Sequence, residues 1–118
     1  MDQRIADLVQ FKILESEANK LSAELYIDKN LPSFQGHFPG KPILPAVSII
    51  DISLRLLSEA VPSLSYADIE VKRSKFMAVV QPEQEVVISA ESEDGKSWRL
   101  LWKLKENQSK LAQVHLIV

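Results

Sequence analysis

Apolar and polar positions alternate with a period of two along most of the chain. Residues 21–27 set Leu21, Ala23, Leu25 and Ile27 against Ser22, Glu24 and Tyr26, the pattern of a strand with one buried face. Residues 9–14 read as a preceding strand, joined to it through a polar turn from Glu15 to Lys20. In the second half Tyr66 to Phe76, Val86 to Glu91, Trp98 to Lys105 and Leu111 to Val118 are each strand-like. Trp98, Leu100, Trp102 and Leu104 give the clearest alternation, and the Trp98 and Trp102 pair is expected in the core. Asp94-Gly95 and Asn107-Gln108-Ser109 supply turn residues, and such short connections predict antiparallel pairing in a sheet of about six strands.

One segment departs from this rhythm. Residues 46–61 follow Pro45, a favourable first-turn residue, and stop before Pro62, so they are bounded as a helix is. At about 100° per residue, Ser48, Asp51, Arg55, Ser58 and Glu59 share a narrow polar arc expected to face solvent. Nearly all the remaining circumference is aliphatic, and only Ser53 interrupts it. An apolar arc that wide needs cover on more than one side, as a curved sheet wrapped around the helix would give. The expected fold class is therefore α+β: one domain over residues 1–118, an antiparallel sheet around one long central helix.

Composition narrows the chemistry. The 118 residues contain no cysteine, which excludes disulfide frameworks, thiolate metal sites and thiol nucleophiles. Fourteen basic against sixteen acidic residues give a net charge of −2, so no global field draws nucleic acid or anionic lipid. The N-terminal ten residues carry three charges and lack a signal-peptide apolar run, so membrane insertion is not expected and the cytoplasm is the expected location. His115 lies between Val114 and Leu116 with no carboxylates at ligand spacing, which suggests a structural or exposed role and no metal site. Ser48 has no evident base beside it and is not read as a nucleophile.

Residues 30–47 hold four of the six prolines (Pro32, Pro39, Pro42, Pro45), two of the three glycines (Gly36, Gly40) and His37. That density of fixed φ angles reads as a shaped loop delivered to a helix N-terminus, with His37 as the residue it positions. The run Gly36-His37-Phe38-Pro39-Gly40-Lys41-Pro42-Ile43-Leu44-Pro45-Ala46-Val47 resembles the signature of the β-hydroxyacyl-acyl-carrier-protein dehydratases, a family with the hotdog fold. That signature reads Gly-His-Phe-Pro, two variable residues, Pro, two aliphatic residues, Pro-Gly-Val, with an acidic residue fourteen positions after the histidine. Asp51 stands at that separation from His37. Lys75-Phe76 and Val80-Gln81-Pro82 are similar to a later segment of the family, in which Gly-Asp follows the proline; here Glu83-Gln84 follow it. Ala46 replaces a glycine of the signature but keeps a backbone N–H at the helix start, and Arg55 stands where the family usually has Gln.

The resemblance implies dehydration of a 3-hydroxyacyl thioester, carried on the phosphopantetheine arm of an acyl carrier protein, to the trans-2-enoyl thioester. Fatty acid, lipid A precursor and polyene pathways are all open. His37 and Asp51 would be catalytic, with Phe38, Gly40, Pro45, Ala46, Val47 and Arg55 binding substrate. The reaction needs a base at C2, an acid for the departing hydroxyl and a donor for the thioester oxygen, and no metal or organic cofactor. In the family the histidine and the acid that meet come from different subunits, so the resemblance implies a homodimer, or a hetero-oligomer with a related hotdog subunit. An Arg55 paired with Asp51 would weaken it as a proton donor. Two alternatives stay open: a non-catalytic hotdog protein that binds an acyl chain or partners a dehydratase, and an acyl thioesterase. The basic cluster Lys72, Arg73 and Lys75 is either a solvated edge strand or a contact for an acidic carrier.

Overall fold

Six strands form one antiparallel sheet against a single α-helix in the computed structural model, which describes residues 9–34, 42–61 and 66–118. The strands are β1 (Lys12–Glu17), β2 (Lys20–Tyr26), β3 (Glu70–Phe76), β4 (Glu85–Ser92), β5 (Ser97–Leu104) and β6 (Lys110–Ile117), in the spatial order β1-β2-β4-β5-β6-β3. The helix α1 (Ala46–Ala60) lies in sequence between β2 and β3, so the chain leaves the sheet beside β4 and re-enters it at the far edge. Single 3-10 turns, Pro32–Phe34 and Tyr66–Asp68, flank the helix in sequence. No described helix is long and apolar enough to cross a membrane.

The alternation predicted from sequence sets which face each strand buries. Leu21, Ala23 and Leu25 of β2, Val86, Ile88 and Ala90 of β4, and Trp98, Leu100 and Trp102 of β5 are all at most 3% exposed. They pack with Ile49, Ile52, Leu56 and Leu57 of α1 in one hydrophobic core. Trp98 and Trp102 are its largest fully buried side chains, as their spacing suggested.

Two boundaries differ from the sequence reading. β1 runs on to Glu17 and reverses at Ala18-Asn19, instead of ending before a turn at Glu15. Every residue of β1 is exposed, so its polar second half looks no different from a turn in sequence. The stretch expected as a strand from Tyr66 opens with a 3-10 turn, and pairing with β6 starts at Glu70. Both edge strands are exposed along their whole length.

Ser53, the one interruption of the helix's apolar side, is fully buried. Its hydroxyl donates to the Ile49 carbonyl at 2.8 Å and accepts the Trp102 indole N–H at 2.9 Å. Burying an indole donor costs least when it is hydrogen-bonded, and whereas the buried Trp98 Nε1 has no partner among the described residues, Ser53 serves Trp102 from across the core. Replacing Ser53 with Ala orphans that donor, and the expected loss is about 1–3 kcal/mol of unfolding free energy, measured by urea denaturation.

Glu83 occupies the position where the dehydratase signature has glycine, and its φ is +68°. The backbone thus keeps the left-handed conformation without the residue that adopts it freely. Neighbouring bonds hold it there: Glu83 N–H donates to the Ile27 carbonyl at 2.6 Å, and Ile27 N–H to the Gln84 carbonyl at 2.9 Å. The Gln84 side-chain oxygen accepts the Gln81 N–H at 2.9 Å. The left-handed conformation costs a non-glycine residue roughly 1–2 kcal/mol, and glycine's extra unfolded-state entropy returns part of that. Glu83→Gly is therefore expected to raise the melting temperature modestly, with a gain of up to about 1 kcal/mol.

Candidate active site

The site is organised around the start of α1. Pro45 takes the N-cap position in an extended conformation (φ −63°, ψ 153°), and no side chain caps the helix there. The Pro45 carbonyl accepts the N–H groups of Ser48 and Ile49, so the amides of Ala46 and Val47 precede the helical ladder. They lie at the positive end of the helix dipole, the position from which a developing oxyanion is stabilised.

Two contacts fix this helix start. Leu44 N–H donates to the Val80 carbonyl at 2.8 Å, which ties the segment entering α1 to the chain leaving β3. The Ser48 hydroxyl is hydrogen-bonded to that of Ser33 in the first 3-10 turn. Ser48 is thus buried, contrary to its expected place on a solvated polar arc, because the turn at Pro32–Phe34 covers the first turn of the helix. The flanks of the histidine loop are anchored on both sides: Phe34 is buried before it and Leu44 after it.

Asp51 and Arg55 meet as the i, i+4 spacing allows, with Arg55 Nε 3.1 Å from Asp51 Oδ2. Both side chains are about a quarter exposed (27% and 26%). Val47, one turn before Asp51, is 66% exposed, and Ala46 is exposed beside it. Pro45 is half-buried. Val47, Asp51 and Arg55 follow one another up a single flank of α1 that turns away from the sheet. The chemistry this flank offers is a carboxylate, a guanidinium, an aliphatic wall and a helix N-terminus. His37, Phe38 and Gly40 lie outside the described residues.

The remaining sequence candidates sit elsewhere. His115 is on β6, opposite Arg99 of β5 and Arg73 of β3. Burial, and then the charges of Lys72, Arg73 and Arg99, push its pKa below the usual imidazole value. Among the described residues no cluster of His, Asp or Glu has the makings of a metal site. Sequence reasoning grouped Lys72, Arg73 and Lys75 but missed Arg99 and Lys103, which line one groove on the outer sheet face with Arg73 and Lys75. Only the strand register joins these residues, and no local pattern carries it.

A family model for the ApeI-like proteins, described as ApeI dehydratase, matches residues 13–115. The 3-hydroxyacyl-acyl-carrier-protein dehydratase FabZ of Pectobacterium atrosepticum is 30% identical over 100 residues, and that of Blochmanniella floridana is 29% identical. Each match covers 77% of this chain and 66% of the relative's own length. Among solved structures, the dehydratase heterocomplex ApeI:P from Xenorhabdus doucetiae superposes with a TM-score of 0.76 at 19% identity, covering 96% of this chain and 97% of that one. The mouse thioesterase superfamily member 2 superposes with a TM-score of 0.65 at 14% identity, covering 91% and 80%. The fold is the hotdog that the resemblance of the His37 motif implied, and the family match runs from β1 through the loop and the helix into β6. The chain belongs to the ApeI-like dehydratase family.

Proposed function

We propose that this protein removes water from 3-hydroxyacyl thioesters held on acyl carrier protein, giving trans-2-enoyl thioesters. The observation that carries the reading is the flank of α1, where a carboxylate stands one turn beyond the helix N-terminus and the motif histidine falls in the loop leading to it. In this reading the amides at Ala46 and Val47 receive the thioester oxygen as enolate character develops, and His37 removes the C2 proton. Asp51 lends a proton to the departing hydroxyl, so hydroxide does not leave as a free anion. Phe38, Gly40, Pro45 and Val47 line the acyl path, and the reaction takes place in the cytoplasm without metal or organic cofactor. The acting histidine and carboxylate come from two protomers of a homodimer. The exposed Val71, Phe76, Met77 and Val79 at the β3 edge, with Val47 on the helix, supply apolar surface for that pairing.

His37→Ala is expected to abolish water loss from carrier-bound 3-hydroxyacyl substrates, followed by intact mass. Stability should fall by no more than about 1 kcal/mol, because a loop substitution away from the core costs little. Retained dehydration, with or without a large loss of stability, would remove His37 from the mechanism.

The ion pair between Arg55 and Asp51 supports a second reading, in which the carboxylate is silenced and the chain is a non-catalytic partner of a related dehydratase subunit. Arg55→Gln separates the two. Release of Asp51 from a restraining pair raises kcat at saturating substrate, while loss of a substrate contact raises KM alone. If wild type and the Gln variant both leave every carrier-bound 3-hydroxyacyl substrate untouched, beside an active control dehydratase, the partner-subunit reading replaces the enzymatic one.

A further inference from the structure

The first turn of α1 lacks the device that ordinarily holds a helix start. The leading N–H groups of a helix have no partner within it, and an N-cap side chain usually accepts the one of the second or third helical residue. In α1 those residues are Val47 and Ser48, and Pro45 at the N-cap has no side-chain acceptor to offer them. Nothing on the cap therefore competes for the donors that a thioester oxygen would need. The same absence leaves the turn without the stabilisation that a capping Ser, Thr or Asp supplies.

A hydroxyl pair grips this turn from outside the helix. Ser48 is 7% exposed, and its hydroxyl is hydrogen-bonded to that of Ser33. Ser33 rides on the turn Pro32–Phe34, which Leu31 and Phe34 pin into the core on either side of it. The Phe34 N–H donates to the Leu31 carbonyl at 3.0 Å and the Leu31 N–H to that of Asp28 at 3.1 Å, so the mount is rigid. Because the bond joins two hydroxyls, it takes up no backbone N–H. The Ser48 and Ile49 amides both go to the Pro45 carbonyl, and those of Ala46 and Val47 stay ahead of the ladder. Neither serine belongs to the dehydratase signature, which runs from Gly36 to Val47. An apolar pair of similar shape would fill the place at no greater cost than two desolvated hydroxyls. What the hydroxyls add is direction, which packing alone does not fix.

We propose that Ser33 and Ser48 are positioning residues for the dehydration: their hydroxyl pair holds the first turn of α1 so that the Ala46 and Val47 amides stay aimed where the thioester oxygen gathers charge. This role rests on the dehydratase reading for what the amides receive, and on the Ser33–Ser48 bond for what holds them. Preorganised donors act on charge that develops in the transition state. Misaiming them is therefore felt in turnover more than in binding of the uncharged ground state.

The test compares S33A, S33T and the double variant S33A/S48A with wild type. S33A takes the partner from the buried Ser48 hydroxyl, and the double variant removes that hydroxyl too, so the double is expected to be no less stable than S33A in urea. In both, kcat for a carrier-bound 3-hydroxyacyl substrate should fall about tenfold or more, with KM within about twofold of wild type. S33T keeps the hydroxyl and should hold kcat within about twofold. A merely structural pair would instead regain kcat in the double variant along with stability. A second readout needs no turnover: 15N relaxation dispersion at the Ala46 and Val47 amides should grow in S33A, while the Leu100 amide in β5 is unchanged. Near-wild-type kcat in S33A or in the double variant, S33T as slow as S33A, or a rise in KM alone overturns the proposal. So do Ala46 and Val47 amides that behave alike in wild type and S33A. If wild type turns over no substrate, the dehydratase reading fails by itself, and the amide measurement still decides whether the pair holds the turn.

Discussion

The buried hydrogen-bond chain from Trp102 through Ser53 to the Ile49 carbonyl fixes how α1 is rotated against the sheet. Apolar packing alone would permit some rolling of a helix that is aliphatic over most of its circumference, because burial is nearly indifferent to rotation. A single polar pair in the core is not indifferent, since rolling the helix would leave the indole donor unsatisfied. With Ser53 held toward the sheet, Asp51 and Arg55 stand two residues on either side of it, each about 200° around the helix. They are thereby brought within about 40° of one another, on the flank facing away from the sheet. The ion pair between them and the exposure of Val47 one turn earlier follow from that one constraint.

The start of the helix is fixed by different means. A hydrogen bond from Leu44 to Val80 and the Ser33–Ser48 contact anchor the chain on both sides of the segment bearing His37. The same Val80 lies three residues before Glu83, whose left-handed backbone closes the turn into β4. Strain at Glu83 and the bond at Leu44 thus belong to one stretch of chain, and the helix start inherits its position from how β3 is followed by β4.

Much of this was legible in the sequence. Period-two alternation gave the buried faces of β2, β4 and β5, and the proline boundaries gave α1 to within one residue. The exposed edge strands were less legible: β1 buries nothing, so no alternation marks its end. Ser48 was misplaced because helical periodicity registers polarity and not what a neighbouring turn covers. The outer basic groove was invisible beyond Arg73 and Lys75, since Arg99, Lys103 and His115 join it only through antiparallel register. In the candidate site, the spacing of Asp51 and Arg55 along one helix foretold their contact.

The account's central claim is that the exposed flank of α1 presents Asp51 to a histidine supplied by a second protomer. Co-expressing differently tagged His37→Ala and Asp51→Ala chains, purifying the mixed species through both tags and assaying water loss from a carrier-bound 3-hydroxyacyl substrate measures this directly. The account predicts that each variant alone is inactive and that the mixed species regains activity, because one of its two sites combines an intact His37 with an intact Asp51. A mixed species as inactive as its parents, beside an active wild type, would contradict it.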